Sequence, residues 1–535
     1  MIEEYRQEYA RFNSELTREF YLYHSGLKAD FRLDEVYGRY RNLFDQESAA
    51  RLRLELHSTP EHYETGRAAL RHLLTFATNQ FLESGVGQLT EAISQFENRA
   101  SLEWQGRNLT FQDVVVAIAT ETDRAYRGRL YDWRTQVIAS SNDLRKERLA
   151  KLHSGARNID VIRPHGSVHA GVHSNSGQYN GGGRTAGSGG AAAGAARRET
   201  YSSYTALYED LLRLDLKELA GDAQALLKGT EHLYTARLAE AVKRDLKISL
   251  QEASRQDAIY FVHLSRYDDR FPASEMFDVY RGTLEGLGIK PSAQNNIVID
   301  DQDRPLKSAR AFCAPIRVPE EIVLVYRPLG GQSDYMSLLH EGGHAQHYAW
   351  TAPGLPPEFK YTGDPALTET YAFLFNHLPS DRDWLESLLG FDNAADFIAS
   401  MMLVKLFTVR RYAAKLIYET GLHESGDISG AAKKYAELQT EATRFRTGEA
   451  EYLYDLDDGF YSAGYLRAWA FEVAIRDYIK ERFGKRWWTN RHAGKFLKEI
   501  WETGERYTAE EMASQIGIGP IRFDRLIDEF TAALG

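Results

Sequence analysis

The sequence contains one cysteine, Cys313, and no apolar run that approaches membrane-spanning length. A single cysteine cannot form an intrachain disulfide, so covalent cross-links are excluded from holding the fold. A membrane span needs about 18 to 20 consecutive apolar residues, so no such segment is predicted. We therefore expect a globular protein without a membrane partner.

A leader segment and an excess of basic residues are also missing. The first residues, MIEEYRQEYARF, lack the basic start and continuous apolar core of a secretory signal, which predicts a cytoplasmic location. The formal net charge is −11, whereas nucleic-acid binding draws its affinity from clustered lysine and arginine. We expect no nucleic-acid partner, and the composition leaves the oligomeric state open.

Apolar residues recur at helical spacing through much of the chain. The first such stripe contains Ile2, Tyr5, Tyr9, Phe12, Leu16 and Phe20. These three- and four-residue steps are typical of an amphipathic helix. The same period near 66–85, 110–150, 203–245 and 465–482 predicts further helices. We expect a mainly α fold.

Two changes of composition divide the chain. Residues 154–198 include SNSGQYNGGGRTAGSGGAAAGAARRE, which has almost no large apolar side chain. We expect this segment to be a flexible loop or linker between a helical region, 1–153, and a second region, 199–535. Residues 297–327 instead alternate β-prone runs with turns, which predicts a small antiparallel sheet. The sheet leads into a helix expected at 334–350, with Ser333 as its N-cap candidate.

That helix contains SLLHEGGHAQHYAW, residues 337–350. At about 100° per residue, His340, Glu341, His344 and His347 share one helix face. In a His-Glu-x-x-His arrangement, histidines one turn apart present two imidazole nitrogens to a zinc ion, and the glutamate reaches the metal-bound water. The spacing predicts one zinc ion per chain, with His340 and His344 as ligands and Glu341 as the general base.

A catalytic zinc site needs a third protein ligand, and three downstream carboxylates compete for that role. Glu369 lies in TGDPALTETYAFLFNHL, a predicted apolar helix with Asp364 as N-cap candidate and Pro365 as its first residue. Glu358 ends GLPPE in a predicted loop. We favour Glu369, because a carboxylate inside an apolar helix needs a partner, and Glu358 and Asp364 remain alternatives.

The glycine pair in the motif helix needs its own explanation. Gly342 and Gly343 should each cost about 1 kcal/mol relative to alanine inside a helix. This cost indicates that another segment approaches the backbone too closely for a Cβ atom. We expect that segment to be the helix that carries Glu369.

The motif resembles that of a known family. HEGGHAQH, with Glu369 following His340 by 29 residues, resembles the thimet oligopeptidase and oligoendopeptidase F family of zinc metallopeptidases. KSARAFCAPIRVPEEIVLVY resembles the family's substrate-side hairpin and edge strand, and DDGFYSAGYLRAW resembles its late tyrosine-bearing segment. The resemblance implies a two-lobed helical body, residues 199–535 as the catalytic region, and a recessed site that hydrolyses short peptides.

The late segment departs from the family pattern, because EYLYDLDDGFYSAGY lacks the histidine that better-known members carry before the tyrosines. The resemblance leaves Tyr461 and Tyr465 as donors to the developing oxyanion, with Tyr465 preferred because GYLRAW matches best. His347 is not needed as a ligand, and we expect it to support a ligand or contact substrate. The strand EIVLVYR is expected to pair with an extended peptide.

Two other functions stay open on the residues alone. A Taq-type metallocarboxypeptidase shares the motif and a similar body but removes single residues from the C-terminus. A zinc-binding scaffold protein without catalytic activity is conceivable because the family histidine is missing. Analysis of reaction products separates the two peptidases, and any turnover excludes the scaffold.

Overall fold

The structure is a computed structural model, and it describes residues 2–161, 199–304, 306–308 and 310–535. Its fold is mainly α with small β-sheets, as the periodicity predicts. Most of the 154–198 segment lies outside the described residues. The helix before it ends at Arg157, four residues beyond the boundary expected from composition.

The described residues form twenty-one α-helices, which are, in chain order, α1 (Ile2–His24), α2 (Leu33–Arg39), α3 (Gln46–Ser58), α4 (Glu64–Arg99), α5 (Phe111–Thr120), α6 (Arg124–Ser140), α7 (Asn142–Arg157), α8 (Tyr204–Leu212), α9 (Leu216–Asp245), α10 (Arg255–Val262), α11 (Met276–Gly286), α12 (Gln332–Trp350), α13 (Glu358–Tyr361), α14 (Pro365–Asn376), α15 (Arg382–Leu389), α16 (Ala395–Ser425), α17 (Ala431–Thr443), α18 (Tyr461–Phe483), α19 (Arg491–Trp501), α20 (Ala509–Gln515) and α21 (Asp524–Leu534). The strands are β1 (Ser101–Trp104), β2 (Arg107–Thr110), β3 (Asp160–Val161), β4 (Glu199–Thr200), β5 (Ile297–Asp300), β6 (Phe312–Arg317) and β7 (Glu321–Val325). The helical segment expected near 110–150 is therefore three helices rather than one.

The N-terminal region contains a β-hairpin that the periodicity did not predict. Strands β1 and β2 pair antiparallel across the turn residues Gln105 and Gly106, which both have positive φ angles of 52° and 77°. A two-residue turn of this kind matches the twist of its strands and favours glycine. This hairpin is a β region beyond the one predicted at 297–327, and Gly106 between two short β-prone runs was a usable signal for it.

The sheet beside the motif helix has the strand order β5–β7–β6. Strand β6 pairs antiparallel with β7, but β5 pairs parallel with it. The expected purely antiparallel arrangement was wrong, because residues 301–311 are long enough to carry the chain past β7 to the opposite edge. Strand β7 is central as a result, and β6 is an edge strand.

Both faces of this sheet are covered. Val323 and Val325 of β7 lie with Tyr21 of α1 in one apolar cluster. Ile322 and Leu324, which alternate with them, belong to the main core that includes α12. A strand buried on both faces shows a continuous apolar run rather than an alternating one, which explains EIVLV.

Helix α12 begins at Gln332, two residues earlier than expected, and Ser333 is not its N-cap. Gly330 and Gly331 turn the chain with φ angles of 85° and 87°. The Gln332 amide then donates to the Asp268 carboxylate over 3.1 Å. A carboxylate distant in sequence therefore caps the helix, in place of a local side chain. Among the described residues, none of the helices combines the length and hydropathy needed to cross a membrane.

Candidate metal centre

Helices α12 and α14 pack closely and bring three potential metal ligands together. The Glu369 Oε2 atom lies 3.3 Å from His340 Nε2 and 3.8 Å from His344 Nε2. Taken as a set, the three ligand atoms lie within 4.8 Å of one another. The two histidines are half-buried and Glu369 is buried. The structure therefore places the predicted ligand set at one point.

The donor set fits a zinc ion. Bonds of about 2.0 to 2.2 Å in a tetrahedral arrangement separate ligand atoms by about 3.3 to 3.6 Å, close to the 3.3 and 3.8 Å that separate Glu369 Oε2 from the two imidazole nitrogens. Glu369 Oε2 is buried and makes no well-aligned hydrogen bond among the described residues. A buried carboxylate oxygen without a partner is costly, and a cation between the three groups would satisfy it.

Burial and the contacts within the group set the protonation states of the three residues. Burial lowers the pKa of His344 to about 4, which keeps its imidazole neutral. Burial opposes ionisation of Glu369, but contact with His340 and electrostatic interaction with both histidines outweigh it and lower the pKa of the carboxyl. Burial also opposes protonation of His340, but contact with Glu369 raises the pKa of that imidazole. Neutral imidazole and ionised carboxylate are the forms that bind metal. His344 and Glu369 are therefore in the forms that bind metal, whereas His340 would release a proton on binding.

Glu341 lies beside this centre, and a backbone amide of the neighbouring sheet holds its carboxylate. Its Oε2 atom accepts a hydrogen bond of 2.9 Å from the backbone amide of Cys313 in β6. Burial raises the pKa of Glu341 to about 7, although the charge of His340 and this amide oppose the rise. A carboxylate with a pKa near neutrality is suited to accept and return a proton.

The two competing carboxylates have other partners. Glu358 is fully buried and pairs with Arg6 of α1 over 2.8 Å. Asp364 caps α14 by accepting from the Ala366 amide over 3.0 Å, as predicted, and also pairs with Arg467 of α18. Both have cationic partners of their own, and neither belongs to the group around the two histidines among the described residues.

His347 does not reach the ligand group. Its side chain is fully buried, and its ring packs 4.9 Å from Tyr371 of α14. Burial lowers the pKa of His347 to about 3. Its position between α12 and α14 is suited to holding the two ligand-bearing helices together rather than to contacting substrate.

The two late tyrosines both lie at the centre but make different contacts. The Tyr461 hydroxyl donates to Glu369 Oε1 over 2.8 Å. Tyr465 packs at 4.9 Å from Tyr461, and burial together with the charge of Glu369 raises its pKa. The charge of Glu341 also contributes to that rise. Tyr461 thus supports a ligand, and its neighbour remains the oxyanion-donor candidate.

The glycine pair accommodates two different neighbours. A Cβ atom on Gly343 would lie 2.8 Å from the Ala372 Cα atom of α14, as expected for a close helix approach. A Cβ atom on Gly342 would instead clash with the ring of Tyr280 in α11. The Tyr280 hydroxyl also donates to the Gly342 carbonyl over 3.2 Å. The prediction that a neighbour leaves no room for a Cβ atom is confirmed at both glycines, whereas the prediction that this neighbour is the helix of Glu369 is confirmed for Gly343 and wrong for Gly342.

Two features of the centre were missed in the sequence. The Cys313 amide positions Glu341, and Tyr348, one turn after His344, stacks on His347 with ring centroids 5.1 Å apart. Burial raises the pKa of the nearby Glu505 carboxyl to about 7, and interaction with Tyr348 opposes that rise. The helical spacing of Tyr348 from His344 was a usable signal, but no local pattern links Cys313 to Glu341.

A second group of possible ligands, His377, Glu472 and Glu529, does not resemble a metal site. Lys405 pairs with both glutamates over 3.1 and 2.9 Å, and Arg476 pairs with both as well. The charges of these two cations lower the pKa of both glutamates against the effect of burial. Side-chain cations already occupy the position that a metal would take.

Comparison with known proteins adds no family assignment. No protein-family model matches the chain, and the search of curated proteins finds no significant match.

Proposed function

We propose that this chain is a zinc-dependent oligopeptidase that hydrolyses internal peptide bonds of short peptides. The observation that carries the proposal is the convergence of His340, His344 and Glu369, with the supported carboxylate of Glu341 beside them. The resemblance of HEGGHAQH and the late tyrosines to thimet oligopeptidase and oligoendopeptidase F supports the same function.

In this proposal, each residue of the centre has a separate role in hydrolysis. When bound by the three ligands, zinc supplies Lewis acidity, which polarises a carbonyl and lowers the pKa of a bound water toward about 7. Glu341 takes the proton of the attacking water and passes it to the leaving amine. Tyr465 donates its hydroxyl to the oxyanion that develops on the scissile carbonyl. Tyr461 and the Cys313 amide hold Glu369 and Glu341 in place.

The peptide is expected to run along β6 rather than β7. Strand β7 has neighbours on both sides, so the expectation that EIVLVYR pairs with substrate was wrong. The Cys313 amide points away from β7 toward Glu341, and in an antiparallel strand the carbonyl of the same residue faces the same side. That carbonyl is placed to accept a hydrogen bond from an extended peptide.

The test is incubation of the purified protein with a peptide mixture, with and without a chelator, read by mass spectrometry and metal analysis. We expect one zinc per chain, cleavage at internal bonds, loss of activity with chelator and recovery with added zinc. Release of single C-terminal residues alone would assign a carboxypeptidase instead. Bound zinc without any cleavage would assign a scaffold, and full activity in zinc-free protein would overturn the mechanism.

A further inference from the structure

A largely apolar cavity of about 230 Å³ lies beside the metal centre. Four helices, α12, α14, α16 and α18, form its walls. Its wall includes the side chains of Met336, Phe373, Met401, Val404, Thr408 and Trp469, most of which are apolar. We call it the side-chain pocket.

The side-chain pocket adjoins the proposed reaction site. The Phe373 ring lies 5.3 Å from the His340 ring and stacks on Trp469 at 5.0 Å. A second recess of about 280 Å³ has His340 and Glu341 on its wall. The two cavities share four wall residues, namely Met336, Asn376, Met401 and Val404. The two cavities are therefore neighbours, and the side-chain pocket adjoins the recess that contains Glu341.

The polar end of the side-chain pocket carries no unpaired charge. Lys405 on its wall is paired with Glu472 and Glu529, which also pair with Arg476. His377 is buried, and burial with the neighbouring cations lowers its pKa well below the usual range, so it is neutral. Two cations thus balance two carboxylates. An ionised side chain would find no counter-ion there, and its desolvation would go uncompensated.

We propose that the side-chain pocket binds a large apolar side chain, aromatic or long aliphatic, of the substrate residue next to the scissile bond. This inference rests on the proposed function, since it takes Glu341 and the three ligands as the point of cleavage. The cavity of about 230 Å³ exceeds the roughly 150 Å³ of an apolar protein cavity that holds benzene, so it accommodates an aromatic ring. Thr408 and Val404 limit its size from α16.

The test measures affinity rather than turnover. Zinc-loaded Glu341→Gln protein is titrated with short alanine-based peptides that differ only in a central Phe, Leu, Ala or Asp. We expect the Phe and Leu peptides to bind about tenfold to a hundredfold more tightly than the Ala peptide, and the Asp peptide to bind no better than it. Equal affinities across the series would overturn the proposal.

One variant that fills the side-chain pocket and one that enlarges it test whether this cavity binds the apolar side chain. Thr408→Phe, in the same Glu341→Gln background, should reduce the Phe-to-Ala affinity ratio to near one. Ser425→Phe adds the same ring at an exposed position of α16 and should preserve the ratio. Met401→Ala should shift the preference toward Trp, which keeps the assignment testable if Thr408→Phe does not fold. An unchanged ratio in folded Thr408→Phe protein, together with no shift in Met401→Ala, would overturn the assignment.

Cleavage by the wild-type protein separates this inference from the proposed function. Selective binding of Phe peptides without cleavage would overturn the proposed peptidase and preserve the side-chain pocket. Cleavage of all four peptides at equal rates, with equal affinities, would overturn the pocket and preserve the peptidase.

Discussion

At the scale of single residues, Glu341 and Glu369 belong to the same centre but make different contacts. Glu369 faces both histidines, whereas Glu341 is held by a backbone amide of the neighbouring strand. Glu341→Gln keeps size and shape but removes the base, so zinc should stay bound while turnover falls by roughly 10² to 10⁴. Glu369→Ala removes a ligand, so zinc content itself should fall. Metal content and rate are measured together on each variant, and full zinc content in Glu369→Ala would remove Glu369 from the ligand set.

The two tyrosines provide a second contrast between single residues. Tyr461→Phe removes the hydrogen bond to Glu369, so zinc affinity should fall about 10- to 100-fold, as when a partner of a metal ligand is lost. Tyr465→Phe removes the proposed oxyanion donor, so kcat should fall about 10²- to 10³-fold with zinc affinity unchanged. Zinc titration and steady-state kinetics measure the two effects. The opposite pattern would exchange the two roles.

At the scale of elements, the centre depends on how closely α12 and α14 approach. Gly343→Ala would place a Cβ atom against the Ala372 backbone, which cannot move as a flexible side chain can. We expect a loss of about 1 to 3 kcal/mol in the free energy of unfolding, with weaker zinc binding. Gly421→Ala is the matched control, because Gly421 lies in α16 with nothing within 4 Å of an added Cβ. That change should stabilise by up to about 1 kcal/mol. Equal effects of the two changes would show that α12 and α14 can separate freely.

The ion pair between Asp364 of α14 and Arg467 of α18 makes the free energy of unfolding depend on pH. Burial opposes ionisation of Asp364, but the charge and hydrogen bond of Arg467 lower the pKa of that carboxyl. A lowered folded-state pKa contributes stability above the unfolded value of about 3.9, and this stability is lost as pH falls through the folded pKa. Asp364→Ala should therefore cost about 1 to 3 kcal/mol at pH 7, because buried Arg467 loses one of its two carboxylate partners and keeps the other, Glu510.

The cost of Asp364→Ala should shrink as pH falls from about 4 toward the lowered folded-state pKa, since the carboxyl of the unfolded wild-type chain takes up a proton over this range while the folded one stays ionised. Denaturant unfolding at several pH values measures it. Asp528→Ala, at an exposed position of α21, should change stability by less than about 0.5 kcal/mol. Zinc content should stay complete in folded Asp364→Ala protein, and its loss would revive Asp364 as a ligand.

At the scale of the whole molecule, helix α1 and the sheet contact the elements that carry the candidate metal centre. Helix α1 contributes Phe20, whose ring packs 5.5 Å from Phe312 at the start of β6, and Arg6, which pairs with buried Glu358. The same strand carries the Cys313 amide that holds Glu341. The segment farthest from the motif in sequence therefore helps to position the proposed base.

The burial of the ligand group predicts which substrates can be cleaved. The side chains of His340 and His344 are only 17% and 13% exposed, and that of Glu369 is 6% exposed. A scissile bond must enter the recess on an extended chain, which a folded protein does not offer. We expect cleavage of peptides of up to about twenty residues, the order of length that the family resemblance implies, and little cleavage of native globular proteins. Mass spectrometry of a native protein and of its denatured peptides, compared at equal mass, measures the difference, and rapid digestion of the native protein would contradict a recessed site.

Local spacing determined the parts of the centre that lie within one element. The helical period placed His340, Glu341 and His344 on one face of α12, and the Asp-Pro pair predicted the start of α14. These predictions succeed because hydrogen bonds within a turn and side chains three or four residues apart depend on the local backbone alone.

Only the tertiary structure decided which distant groups meet. In the folded protein Glu369 lies beside His340 and His344, whereas Glu358 and Asp364 pair with arginines. Tyr280 packs against Gly342, and β7 lies between β5 and β6. No local spacing encodes these contacts, because each joins segments separated by many residues and depends on how whole faces pack. The sequence by itself thus determined that the candidate ligands and base of α12 share one helix face, while packing between helices and sheet determined where Glu369, the support of Glu341 and the side-chain pocket lie.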